Sequence, residues 1–236
     1  MENAKKSLPR EVLDSQLVHK PMKVDYQEML ETKWKDKPVL KSRLLDDMED
    51  PAKWSHEGPG KMSFTRERCI DGQQSVRITS TTKTDTPNPD LGRYFGYSKI
   101  FRKFEGEDWS DYNRISLWVY PNLPGHRHIS FWAYLYNDGE VKTPNLYWWE
   151  GACQFHLKNG EWNHVTWEIP FLARDKVTAL AFEYRLSGNE PGADETVCYD
   201  IDHLELQKVD AHYYEGWKVD QGKISFSHSG YLPHAT

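Results

Sequence analysis

Arg114-Ile-Ser-Leu-Trp-Val-Tyr-Pro121 and Ile129-Ser-Phe-Trp-Ala-Tyr-Leu-Tyr136, joined by a short loop of Pro, Gly and His, decide the fold class. In the second run Ile129, Phe131, Ala133 and Leu135 share one face, and Ser130, Trp132, Tyr134 and Tyr136 share the other. Side chains alternate across a strand, so this period of two reads as a strand with an apolar core face and an aromatic, polar outer face. Trp118 and Tyr120 alternate in the same way on the preceding run. Aromatic side chains on the face away from the core need a partner, because exposed aromatic patches usually mark an interaction.

Working outward, the same pattern begins at Leu44 and recurs over 44–48, 61–67, 74–80, 97–104, 114–120, 129–136, 153–158, 161–169, 178–186 and 196–207, with Gly, Pro, Asn and Asp between the runs. Many short strands at this spacing predict an all-β sandwich or barrel. Asn159-Gly160 between two alternating runs predicts a hairpin, since the tight hairpin turn needs residues that accept positive φ. Three longer connections interrupt the rhythm: 82–96, 137–152 and 187–195. The middle one carries Tyr147-Trp148-Trp149-Glu150, and long loops in a compact domain are often functional.

Upstream, Asp25 and Glu28 form a capping-box pattern, and Tyr26, Met29, Leu30 and Trp34 follow at helical spacing. A helix is expected at about 26–36, with a weaker one from Pro9 to His19. Downstream, Lys223–Phe226 reads as a strand with nothing after it to pair with. The expected organisation is a helical N-terminal arm at 1–43, a β domain at 44–209, and a linker at 210–236 that opens a following domain.

Bulk composition narrows the function. The 236 residues carry a net charge of −6, which gives no general polyanion-binding surface and argues against nucleic acid. No window approaches the roughly 18 consecutive apolar residues of a membrane span. The N-terminus lacks an apolar signal-peptide core, so the protein is intracellular or the chain begins after a removed signal. Cys69, Cys153 and Cys198 are odd in number and widely spaced, without a disulfide framework or a zinc signature. Cys153 and Cys198 fall in strand runs and read as small core residues.

Three groups of residues are candidates for chemistry. Trp132, Tyr134 and Tyr136 lie about 7 Å apart along a strand. Flat rings suit the apolar face of a pyranose, with polar neighbours supplying direction. Trp148 and Trp149, in a loop, suit the same role. The alternative is that the aromatic face is covered by the arm or by a neighbouring domain. Next, Asp47 and Glu49 lie on the first β run and Asp200 and Asp202 on the last, each pair on one side of its strand. First and last strands of a sandwich are often neighbours, and carboxylates brought together there, with Asp71 nearby, suit a structural calcium. Solvated strand ends are the alternative. Finally, Glu150, Glu168 and Glu183 have no spacing specific to an acid–base pair. His126-Arg-His128 lacks a third ligand, and no nucleophile, phosphate-loop or zinc-protease motif is present.

Several of these segments carry a resemblance. Leu44-Leu-Asp-Asp-Met-Glu-Asp50 with Trp54, Asp71-Gly-Gln-Gln-Ser-Val-Arg-Ile78, Asp108-Trp-Ser-Asp-Tyr-Asn-Arg-Ile-Ser-Leu-Trp-Val119, Gly160-Glu-Trp-Asn-His-Val-Thr-Trp-Glu-Ile-Pro170 and Tyr199-Asp-Ile-Asp-His-Leu-Glu-Leu206 occur in order. Residues 44–208 resemble a jelly-roll, galactose-binding-like carbohydrate-binding module of the kind attached to bacterial polysaccharide-degrading enzymes. The resemblance implies a two-sheet jelly-roll β-sandwich with calcium on Glu49 and Asp202, joined by Asp47 and Asp71. It also implies a polysaccharide or oligosaccharide site on one sheet or its edge loops, and a secreted, periplasmic or cell-surface location. The tail, Ile224-Ser-Phe-Ser-His-Ser-Gly-Tyr-Leu-Pro-His-Ala235, resembles the opening of the immunoglobulin-like domain that precedes family 9 glycoside hydrolase catalytic modules. Ser-His-Ser stands where that pattern has Asn-Gln-Val. This implies a catalytic domain of the same polypeptide as partner. The expected role is non-catalytic glycan targeting for an attached hydrolase. A structural domain that docks the catalytic module without binding glycan is the alternative, and an enzyme built on the jelly roll is a third reading.

Overall fold

The structure, a computed structural model, describes residues 37–82, 96–126, 129–140, 151–186 and 195–210. The chain divides into two compact units, Met1–Pro38 and Val39–Thr236, and all the described strands lie in the second. The expected helices at 26–36 and Pro9–His19, the 223–226 strand and Tyr147, Trp148, Trp149 and Glu150 lie outside the described residues.

Eleven strands are described: β1 (Lys41–Asp46), β2 (Trp54–Glu57), β3 (Lys61–Thr65), β4 (Ser75–Thr81), β5 (Gly96–Glu107), β6 (Arg114–Asn122), β7 (Ser130–Asn137), β8 (Ala152–His156), β9 (Asn163–Glu168), β10 (Val177–Leu186) and β11 (Thr196–Lys208). They form two antiparallel sheets. One runs β3-β4-β11-β6-β9 with β1 also paired to β11, and the other runs β2-β5-β10-β7-β8. The chain is thus an all-β, two-sheet sandwich. Each run of alternating residues is a strand because one face finds the opposing sheet and the other does not. β2 has too little alternation to announce itself. It exists because Trp54 is buried and Trp54–Glu57 pair with Arg102–Lys99 on β5.

The core lies between the sheets. Ile115, Leu117 and Val119 of β6 face Phe131 and Ala133 of β7 across it, all at 1% exposure or less. The Phe131 ring stacks on Phe182 of its own sheet (6.1 Å, 4°) and on Tyr199 of the opposite sheet (5.0 Å, 24°). Leu135, on the same face, packs at the margin of this core.

Strand pairing separates neighbours in sequence and overturns one expectation, the hairpin at Asn159-Gly160. β6 and β7, adjacent in sequence, belong to different sheets, so Trp118 and Tyr120 look out from the opposite side of the molecule to Trp132, Tyr134 and Tyr136. Asn159-Gly160 makes no hairpin, because β8 pairs with β7 and β9 pairs with β6. The turn instead carries the chain from one sheet to the other. Gly160 does take positive φ (77°), as the turn signal requires. Its N–H, however, donates to Pro121 O, and the Asn159 amide clasps both the N–H and the C=O of Leu123 at 2.9 Å. The local chemistry was legible; the pairing partner was a tertiary choice.

Candidate functional site: the outer face of the five-stranded sheet

β10 is the middle strand of this sheet, and two of its outward residues, Ala179 and Ala181, are small. Ala181 stands between Phe101 on β5 and Tyr134 on β7, and Ala179 between Lys103 and Tyr136. Aromatic side chains therefore flank a low strip. The Trp132 and Tyr134 rings lie 6.4 Å apart at 18°, a nearly parallel pair along β7. From across the strip Phe101 reaches Tyr136 at 6.1 Å. Lys99 also crosses it: its Nζ donates to Tyr136 Oη at 2.9 Å and sits 4.6 Å from the centre of the Tyr134 ring. That crossing helps to bury Ala181.

One row of residues spans all five strands: Glu57, Lys99, Glu183, Trp132 and Gln154. It places a carboxylate, an ammonium, a second carboxylate and an amide beside the indole. Tyr136 is 38% exposed, Trp132 and Tyr134 are half-buried, and Glu183 is buried. Ring faces supply apolar area and the row supplies directional hydrogen bonds, the two components of a small-ligand site. The expected Trp132, Tyr134 and Tyr136 do share this face. The Trp148–Trp149 part of the expected site lies outside the described residues. Lys99, Phe101 and Gln154 were not singled out from the sequence. Tyr97, Lys99, Phe101 and Lys103 alternate along β5, which is a legible signal. Nothing in sequence order, though, places β5 within one strand of β7.

Glu168 and Glu183 are not neighbours. Glu183 belongs to this row, whereas Glu168 lies on β9 of the other sheet, opposite Arg114. The outer face of the six-stranded sheet has its own rings, with Trp118 stacked on His164 (4.8 Å, 25°) and Tyr120 edge-on to Trp162 (5.6 Å, 74°). Beside them the fully buried Asp200 accepts from Arg77 (2.6 and 2.9 Å) and from Arg68 (2.9 Å). Asp200 is therefore occupied by two guanidinium groups.

The first and last strands are neighbours, as expected, with β1 antiparallel to β11. Asp202 of β11 meets one loop, 70–74, together with Glu49, which with Asp47 lies past the end of β1 rather than on it as expected. Asp202 Oδ2 accepts from the N–H groups of Ile70 (2.5 Å) and Asp71 (3.1 Å), and Glu49 Oε1 from those of Gln73 (2.5 Å) and Gln74 (3.1 Å). Asp71 Oδ2 lies 3.2 Å from His203 Nδ1, while Asp47 accepts from the Glu49 N–H at 3.2 Å. Gly72 has positive φ (64°), and a Cβ there would collide with Glu49 Oε1. Burial raises the Asp202 carboxyl above the usual range, opposed by the N–H groups of Ile70 and Asp71. Among the described residues no three His, Cys, Asp or Glu side chains converge as a ligand set. Asp46, adjacent to the expected Asp47, is the buried one, holding Arg102, Trp54 Nε1 and the Met48 N–H. The three cysteines are free, and burial pushes the Cys153 thiol up to about 12.

The sequence matches no family model and no curated protein. Solved structures resemble the fold. A family 11 carbohydrate-binding module from Clostridium thermocellum, in complex with a β-1,3-1,4-mixed-linked tetrasaccharide, aligns at 15% identity and a TM-score of 0.46, covering 72% of this chain and 98% of that one. The C-terminal family 22 carbohydrate-binding module of Clostridium thermocellum Xyn10B aligns at 14% and 0.40, covering 74% and 96%. An exo-β-agarase aligns at 12% and 0.48, covering 78% of this chain and 29% of that one. At these scores the likenesses assign no ligand, and the β-sandwich rests on the strand pairings themselves.

Proposed function

We propose that this chain is a non-catalytic module that binds polysaccharide through the outer face of its five-stranded sheet. The observation that carries the reading is the parallel Trp132–Tyr134 ring pair beside the alanine strip, crossed by the Glu57–Lys99–Glu183–Trp132–Gln154 row. Pyranose rings pack on these aromatic side chains, and the accessible polar members of the row, Glu57, Lys99 and Gln154, hydrogen-bond their hydroxyls. In this reading the module serves a glycoside hydrolase domain of the same polypeptide, outside the cell. A glycan array followed by affinity gels tests it. Trp132→Ala or Tyr134→Ala is expected to weaken binding by about tenfold or more, in line with roughly 1–3 kcal/mol for a stacked ring. A wild-type protein that retains no polysaccharide removes the reading. The second reading is a docking face for the catalytic module. That reading predicts retention of the separately expressed catalytic domain, and loss of that retention in the same two variants.

A structural calcium held by Glu49 and Asp202, with Asp47 and Asp71, belongs to the same proposal. Its support is the pinning of the 70–74 loop by Glu49, just past the end of β1, and by Asp202 of β11. Met48 (φ 63°) and His203 (φ 49°), each next to one of these carboxylates, also adopt left-handed backbone, a strain that clusters at functional sites. Saturating calcium is then expected to raise the melting temperature by roughly 5–10 °C over EDTA-treated protein, from about 2.7 kcal/mol at a hundredfold excess over Kd. Equal melting temperatures remove the ion.

A further inference from the structure

Resting on the carbohydrate reading, we infer that the ligand is a polysaccharide bearing anionic substituents, carboxylate or sulfate, received by Lys99 and Lys103 on β5. These two residues flank Phe101 on the outward side of the strand, about 14 Å apart by strand rise. Lys99 spends one of its three donors on the Tyr136 hydroxyl, 2.9 Å away, and is otherwise held against the rings of Tyr134 (4.6 Å), Phe101 (5.3 Å) and Tyr136 (5.6 Å). Glu57 and Glu183 stand beside it in its own row. Neither Lys99 nor Lys103 is among the basic residues that make ion pairs within the described residues. Lys103 is exposed, and Ala179 across from it leaves room above the strip.

A neutral glycan needs only hydroxyl partners, which the row already supplies. Two ammonium groups without a carboxylate bound to them, beside the aromatic rings, add charge complementarity for an anion seated on the same face. The chain's net charge of −6 makes this local rather than a general attraction to polyanions.

Titration calorimetry with polygalacturonate, a sulfated galactan and a neutral mixed-linkage glucan, at about 50 mM and then about 500 mM salt, tests the inference. At low salt one anionic polymer is expected to bind at least about tenfold tighter than the glucan, and Lys99→Met to remove about that factor. Lys103→Met is expected to lose less, and Lys158→Met, an exposed lysine elsewhere, nothing. Preference for polygalacturonate assigns the carboxylate; preference for the sulfated galactan assigns the sulfate. The methionine keeps the length of the stem, and unchanged melting curves exclude misfolding. Equal or tighter binding of the glucan, indifferent to Lys99→Met, overturns the anionic class and leaves the carbohydrate reading standing. Binding of none of the three polymers and of nothing on the array overturns both.

Discussion

Asp46→Ala is expected to lose about 3–5 kcal/mol of stability, the range for removing one partner of a buried ion pair. Its carboxylate is fully buried and accepts from the Arg102 guanidinium, from Trp54 Nε1 at 3.2 Å and from the Met48 N–H at 2.8 Å. One side chain thus joins the end of β1, the start of β2 and the middle of β5, tying an edge of each sheet together. Alanine leaves an Arg102 side chain that is only 11% exposed without its counter-ion, and two N–H donors without that acceptor. Urea unfolding checks the value, with Asp46→Asn alongside. The amide keeps the volume and one acceptor oxygen, so its loss should be smaller. A loss below about 1 kcal/mol for alanine would place this cluster among interactions that water replaces at no cost.

Phe131→Ala is the second large effect, at about 3–5 kcal/mol for a buried aromatic truncated in a packed core. Phe131 has no exposure and stacks on Phe182 beneath it in its own sheet and on Tyr199 across the sandwich. The cavity would open between the sheets, which the surrounding core side chains hold apart. Phe131→Leu refills much of the volume and should cost less than half as much. Phe131 and Trp132 point to opposite faces of β7, so the variants should bind glycan in proportion to the folded fraction. A change in affinity of the folded protein would show that the Trp132–Tyr134 pair is sensitive to the core packing behind it.

These two neighbours also mark the limit of what pattern conveys. The alternation along 129–136 determined a strand, its buried face and an aromatic outer face, because a period of two admits no other arrangement once one face must leave water. The turn chemistry of Asn159-Gly160 determined a left-handed glycine. The first and last strands were recognised as neighbours from the sandwich pattern alone. Tertiary structure decided everything that depends on which strand lies beside which. It sent β6 and β7 to different sheets, turned an apparent hairpin into a crossover, and set Trp118 and Tyr120 on the far side of the molecule from Trp132. It also placed β5 one strand away from β7, which brings Lys99 over Tyr134 across 35 residues of sequence. Sheet pairing follows from how two apolar faces close around one core, a global packing condition that local periodicity does not encode.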